Sequence, residues 1–221
     1  MQDTWVVVPL FNERPVIGDV VRGLLPTFPQ VVCVDDGSRD GSAQAASEAG
    51  AVVVRHALNL GQGAALQTGF SYALDDPAMR YVVTFDADGQ HQVPDAAAMV
   101  ERLRRDEADV VFGSRFLDER TRPGLLKRVV LKTAVHYSNA TTGLHLTDAH
   151  NGLRALTRPV CAAIEITQNR MAHASELVHQ IAQMQARTVE QPVHILYTDY
   201  SRAKGQSVLN GVNILAELFF K

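Results

Sequence analysis

Short apolar runs rich in β-branched residues punctuate the first half of the chain: WVVVPL at 5–10, VVCVDD at 31–36, AVVV at 51–54, YVVTFD at 81–86 and ADVVFG at 108–113. Amphipathic stretches at 14–25, 41–49, 63–74 and 94–105 lie between them. Apolar runs of about five residues predict buried strands, and the stretches of about ten between them predict crossover helices. The alternation therefore predicts an α/β fold with a mostly parallel central sheet flanked by helices. From residue 114 the pattern changes to a basic loop, a helix near 124–140, a turn-rich TGLHLTDAHNGLR at 142–154 and further helical stretches. A strand at PVHILYT (192–198) and a C-terminal amphipathic helical segment complete the expectation. No linker, repeat or low-complexity tract divides the chain, so residues 1–221 are read as one domain.

Composition narrows the partners. With 46% hydrophobic and 20% charged residues and a net charge of -3, the chain is an ordinary soluble globular protein without the basicity that nucleic acid requires. Cys33 and Cys161 sit in apolar runs and fit reduced, buried thiols better than a disulfide framework, which points to a cytoplasmic location. The chain opens directly on a strand-like run, and nowhere do about 20 apolar residues follow one another, so neither secretion nor membrane spanning is expected.

In such sheets ligands gather beyond the carboxyl ends of the strands. Those ends carry Asn12 and Glu13, Asp35 and Asp36, and Asp86 and Asp88, so acidic groups converge on one edge. Asp86 and Asp88, one residue apart in TFDADGQH, repel each other, and a basic side chain, a metal ion or water must relieve them. Mg²⁺ or Mn²⁺ prefers oxygen ligands and shares its shell with substrate phosphates, and Gln90 adds an amide. A solvated acidic turn is the plain alternative. Adjacent carboxylates at 35 and 36 suit the N–H groups of a nucleobase, whereas Asp40 and Ser42 read as helix caps. In NLGQGAALQTGF the third position of a dinucleotide fingerprint is Leu66, which argues against that cofactor. Gly61 and Gly63 would instead allow close backbone approach at a helix start near a phosphate. Of the eight histidines, His91 follows the carboxylate motif and could touch the metal or phosphate, whereas His145, His150, His173 and His179 have no tight ligand spacing and read as capping or packing residues. Trp5 reads as a strand-edge aromatic.

Six motifs in order, VVVPLFNE, VDDGS, NLGQGAA, DADGQH, GSR and DAHNGLR, resemble family 2 glycosyltransferases of GT-A (Rossmann-like) fold, over roughly residues 5 to 207. The likeness is greatest to the branch that includes dolichol-phosphate mannosyltransferase and bacterial polyprenyl-phosphate glycosyltransferases. The resemblance implies a nucleotide-diphosphate sugar donor (UDP- or GDP-linked), a divalent cation (Mg²⁺ or Mn²⁺), and inverting transfer to a polyprenyl or dolichyl phosphate. It implies a nucleotide-sugar half at 1–113 and an acceptor half at 114–221. By position, Pro9, Asn12 and Glu13 would border the nucleoside, Asp35 or Asp36 the base, Gly61 and Gly63 the phosphates, and Asp86 with Ala87 the sugar. Asp88 and Gln90 would bind the metal, and Arg115 and Arg154 would approach the diphosphate or acceptor phosphate. Guanidinium forks suit that task better than ammonium groups.

The acceptor changes what Asp148 must do. A sugar hydroxyl needs a general base, which Asp148 would supply; a lipid phosphate is already anionic, and Asp148 would then position Arg154 or its loop. DAHNGLR departs from the Asp-x-Thr-Ser-Gly-Phe-Arg pattern of the resembling branch at its middle positions. Basic and apolar residues interleave from Arg115 to Lys132, including Arg120, Arg122, Lys127 and Arg128, and fit either a helix on an anionic membrane or one packed on the sheet. YSRAKGQS, with Arg202, Lys204 and Ser207, resembles a phosphate clamp of the same branch, and Glu176 falls where relatives carry a carboxylate facing the site. Peripheral attachment at the inner face of the cell membrane, or a separate membrane partner, follows as an expectation. The alternatives are transfer to a saccharide or protein hydroxyl, or an idle nucleotide-sugar-binding subunit that recruits a membrane partner.

Overall fold

A computed structural model describes residues 1–118, 125–170, 172–196 and 200, with side chains at all of these except 125–131 and 137. Its strands are β1 (Thr4–Leu10), β2 (Gln30–Asp35), β3 (Val52–Arg55), β4 (Tyr81–Thr84), β5 (Val110–Ser114), β6 (Arg154–Thr157) and β7 (Thr188–Pro192). Its helices are α1 (Arg14–Leu24), α2 (Ser42–Glu48), α3 (Gln62–Leu74), α4 (Val93–Arg104), α5 (Leu125–Thr142), α6 (Arg158–Ala163) and α7 (His173–Gln183). The sheet runs β3-β2-β1-β4-β6-β5-β7. All pairings are parallel except those of β6, which is antiparallel to both β4 and β5.

β1 shows why the alternation was legible. Val6, Val8 and Leu10 enter the core beneath α1 and α4, while Trp5 and Val7 enter the core beneath α3, α6 and α7. A strand covered on both faces has no polar side, and each such valine contributes roughly 1.5–3 kcal/mol by leaving water. Trp5 is therefore not at a strand edge: it is buried on a central strand, with Nε1 donating to Asp76 Oδ2 at 2.9 Å. Pro15 and Pro94 open α1 and α4, where a missing N–H costs nothing. Cys33 and Cys161 are buried and unpaired, and burial pushes both thiols up to about 12.

Two elements differ from expectation. β6 takes the place of the last residue of the expected turn, Arg154, and of the start of the helical stretch expected after it; its four residues begin with a buried arginine and are too short to show a period. Among the described residues the last strand is Thr188–Pro192, and 193–196, part of the expected strand, carry none. As the sheet's edge it is only half buried, so TVEQP carries little apolar signal. The strand ends where its partner β5 ends, at Ser114 opposite Pro192. Val193 and Ile195 are buried beyond it, the Val193 N–H donating to the Ser114 carbonyl oxygen at 3.0 Å.

Candidate active site

The carboxyl ends of β1, β2 and β4 surround a cleft of about 510 Å³ lined by Pro9, Glu13, Asp36, Gly61, Asp86, Ala87 and Asp88, together with Asn59, Gln62 and Arg170. Loop hydrogen bonds hold its walls. Asn12 adopts a left-handed φ of 53°, donates its N–H to Ser38 Oγ at 2.9 Å, and accepts from the Arg39 N–H at 3.1 Å. The first amides of the α1 region are capped from the neighbouring loop, Glu13 by Ser42 Oγ and Arg14 by Asp40 Oδ2. Asp40 and Ser42 thus cap across loops as well as locally.

The adjacent carboxylates have separate tasks. Asp35 is fully buried, accepting from the Ser38 N–H and from Arg55 Nε at 3.0 Å, and it does not line the cleft. Asp36 does line it, but its oxygens already accept from the N–H groups of Leu60 and Gly61 and lie 2.8 Å from His56 Nδ1. A carboxylate has about four acceptor positions, so Asp36 keeps room for one more donor.

The glycine-rich turn makes a close approach to the backbone of residues 168–169. A Cβ at Gly61 would stand 2.2 Å from the Asn169 carbonyl oxygen, and one at Gly63 2.2 Å from that of Gln168. The Gly63 N–H donates to Asn169 at 2.8 Å, so these amides are already used. The segment they hold brings Arg170 to the cleft. Glu176, expected to face the site, instead closes that segment by accepting from the N–H groups of Thr167 and Gln168.

At the end of β4, His91 Nε2 lies 2.9 Å from Asp86 Oδ2, and its ring packs edge-on against Phe85. Burial would raise the Asp86 carboxyl, but His91 and Arg154 hold it below the usual range. Asp88 is the opposite case: burial and the Asp86 charge push it up to about 6, with Glu13 adding to the effect. This point in the cleft lacks positive charge, which a divalent cation would supply. Among the described residues no group of three or more His, Cys, Asp or Glu gathers around a metal position, so substrate oxygens would have to complete the shell. Gln90, expected as a second ligand, presents its amide nitrogen to Asp88 Oδ2 at 2.7 Å and its N–H to Oδ1; it orients the carboxylate. Tyr200 Oη donates to Glu13 Oε2 at 2.7 Å, which brings Tyr200, beyond β7 in the chain, to the Glu13 end of the cleft.

The second half contributes two arginines in unlike settings. Asp148 is fully buried and its Oδ2 accepts from Arg115 Nε at 2.6 Å, an arrangement that suits positioning of Arg115 better than a base open to an acceptor. Glu190 pins this turn from β7, accepting from the N–H groups of Thr147 and Asp148. Arg154 is buried opposite Thr84 in the β4–β6 register and does not line the cleft. It lies behind Asp86, where burial lowers it to about 10. A Cβ at Gly152 would stand 2.2 Å from Asp86 Oδ2, so only glycine lets the turn pass. The Arg128 side chain, Arg202, Lys204 and Ser207 lie outside the described residues.

Gln62, Asn59, Arg170, Tyr200 and Glu190 were not singled out from the sequence. Asn59 and Gln62 fall inside NLGQGAA and Tyr200 opens YSRAKGQS, so these were open to notice; Arg170 and Glu190 reach the site only through long-range packing.

The glycosyl transferase family 2 model matches residues 5–164. An uncharacterised protein of Methanocaldococcus jannaschii is 33% identical, covering 99% of this chain and 92% of its own length. The UDP-N-acetylglucosamine–dolichyl-phosphate N-acetylglucosaminyltransferase of Methanococcus voltae is 28% identical, covering 97% and 94%. Polyprenol monophosphomannose synthase of Mycolicibacterium smegmatis is 30% identical, covering 99% and 85%. Among solved structures, Mycobacterium tuberculosis glucosyl-3-phosphoglycerate synthase in complex with Mn²⁺ and UDP-glucose superposes with a TM-score of 0.73 at 18% identity, covering 98% of this chain and 78% of that one. That likeness concerns the fold.

Proposed function

The chain belongs to glycosyl transferase family 2, and we propose that it transfers a sugar with inversion from a uridine or guanosine diphosphate donor to a polyprenyl or dolichyl phosphate. The observation that carries this reading is the single cleft shared by Pro9, Glu13, Asp36, Asp86, Ala87 and Asp88. Relatives named for dolichyl-phosphate and polyprenol acceptors, matched over most of their length, support the choice of acceptor.

In this reading Pro9 and Glu13 bracket the nucleoside, Asn12 fixes the loop beneath it, and Asp36 uses its remaining acceptor position on the base. Asp35 acts from behind through Arg55 and Ser38. Asp86 and Ala87 face the sugar, and His91 holds Asp86 ionised and oriented. Asp88, steadied by Gln90, is the residue that would hold a divalent cation, whose charge stabilises the departing nucleoside diphosphate. Arg170 and Arg115 supply guanidinium groups to the phosphates, Arg115 at an angle set by Asp148. A lipid phosphate attacks as an anion, so the burial of Asp148 is no obstacle: no base is required of it.

A thermal-shift panel of nucleoside diphosphates and their sugars, with and without Mn²⁺, tests the donor half. A true donor stabilises the fold by about 2.7 kcal/mol at a hundredfold excess over its dissociation constant. The Mn²⁺-dependent part disappears in Asp88→Ala. No stabilisation by any nucleoside diphosphate contradicts the reading.

A further inference from the structure

Behind Asp86 the fold closes a second cavity of about 100 Å³, whose polar lining comes mainly from Gln62, Asp86, His150, Arg154 and His173. It meets the main cleft at Pro9, Gln62 and Asp86, which line both. The partition includes one long hydrogen bond, Gln62 Nε2 to Asp86 Oδ1 at 3.3 Å.

Buried polar groups are nearly always partnered. Here Arg154 Nε and His150 Nδ1 are buried with no hydrogen-bond partner among the described residues, and Arg154 is only 2% exposed. His173 Nδ1 lies 2.6 Å from the Arg170 carbonyl oxygen and must carry the proton there, which in the neutral ring leaves Nε2 as an acceptor. Burial lowers His150 to about 4 and also lowers His173, so both rings are neutral near pH 7. A chamber whose buried wall leaves nitrogen atoms of Arg154 and His150 unsatisfied, and which offers both donors and acceptors, suits a hydroxyl group. Its volume is that of about three waters, enough for a hydroxyl or hydroxymethyl group.

We propose that this chamber receives a hydroxyl or hydroxymethyl substituent of the donor sugar ring, and that His150, with Arg154 Nε and His173 beside it, determines which sugar is accepted. The inference rests on the reading of the main cleft as a nucleotide-sugar site and deepens it.

The test is calorimetric binding, in the presence of Mn²⁺, of the nucleotide sugar that gives the largest thermal shift and of its deoxy analogues at each ring position. The matching nucleoside diphosphate serves as control. Removing the hydroxyl that enters the chamber weakens binding to the native protein by about tenfold, as expected for a lost buried hydrogen bond. His150→Ala reduces that penalty to less than about twofold, while affinity for the nucleoside diphosphate is unchanged. His150→Gln, which keeps polar atoms and fills more of the space, is the companion variant, and nucleoside diphosphate binding certifies that each variant is folded. The proposal is overturned if no deoxy analogue is discriminated, or if the penalty is the same in native protein and both variants, as for a chamber that holds only water. Failure of the native protein to bind any nucleoside diphosphate removes the donor reading, and this proposal with it.

Discussion

Arg115 Nε lies 2.6 Å from Asp148 Oδ2, and the carboxylate it meets is fully buried. An ion pair of this kind fixes a guanidinium at a chosen angle, and removing the charge from one partner leaves the other poorly compensated. Asp148→Asn is therefore expected to lower transfer by about ten- to a hundredfold without abolishing it, and to leave donor affinity within about threefold. Steady-state kinetics with a separate donor-binding measurement checks this. Complete loss of transfer with intact donor binding would identify Asp148 as a base.

The contact between the 61–63 turn and the 168–170 segment yields a second expectation. A methyl group at Gly63 would collide with the Gln168 carbonyl at 2.2 Å, and that backbone must move to admit it. Gly63→Ala should cost about 1–3 kcal/mol, a fall of roughly 2–10 °C in melting temperature for a domain of this size. Because the displaced segment carries Arg170 to the cleft, donor affinity should fall as well. An unchanged melting curve would show that the two segments do not pack in this way.

His150 makes stability depend on pH. Its folded pKa is about 4 against an ordinary 6.5, because burial and Arg154 disfavour the charged ring. Between those values the unfolded chain holds a proton that the folded one lacks, so this contribution is fully present above about 6.5 and is lost as pH falls towards 4. Relative to His150→Gln, the native protein should lose stability on acidification with a slope of at most about 1.4 kcal/mol per pH unit. Urea unfolding of both proteins at pH 7, 6 and 5 measures it; parallel curves would contradict the burial of a neutral ring.

Membrane attachment is a separate matter from catalysis. No helix among the described residues is long and apolar enough to cross a bilayer, while 115–132 interleaves basic and apolar positions. Flotation with anionic liposomes should recover the protein in the lipid fraction at low salt and release it as salt screens the charges. Absence from the lipid fraction at every salt concentration, with or without a membrane partner, would exclude a surface role for this stretch.

The first five strands were legible because each is apolar on both faces and bounded by turn residues, and the acidic edge followed from where those strands end. Asp86 and Asp88 could be placed side by side because they are neighbours in the chain. What the sequence hid was long-range. β6 is four residues opening with Arg154, and nothing in its composition says that it inserts antiparallel between β4 and β5. That insertion decides that Arg154 lies behind Asp86 and does not line the main cleft. Gly61 and Gly63 announced a close approach but not its partner, which turned out to be backbone more than 100 residues away. Glu176 and Gln90 have the chemistry of ligands, yet both spend it on neighbouring groups of the protein, a choice set by local geometry that residue type does not reveal.

Transfer of a sugar from a nucleotide to a lipid phosphate at Asp88 has a direct readout: incubation of the protein with Mn²⁺, a radiolabelled nucleotide sugar chosen by thermal shift, and a short polyprenyl phosphate. Label is expected in the organic phase as a sugar linked through a single phosphate, and is expected to be lost in Asp88→Ala. Label that reaches only water or a saccharide hydroxyl, with the polyprenyl phosphate untouched, would contradict it.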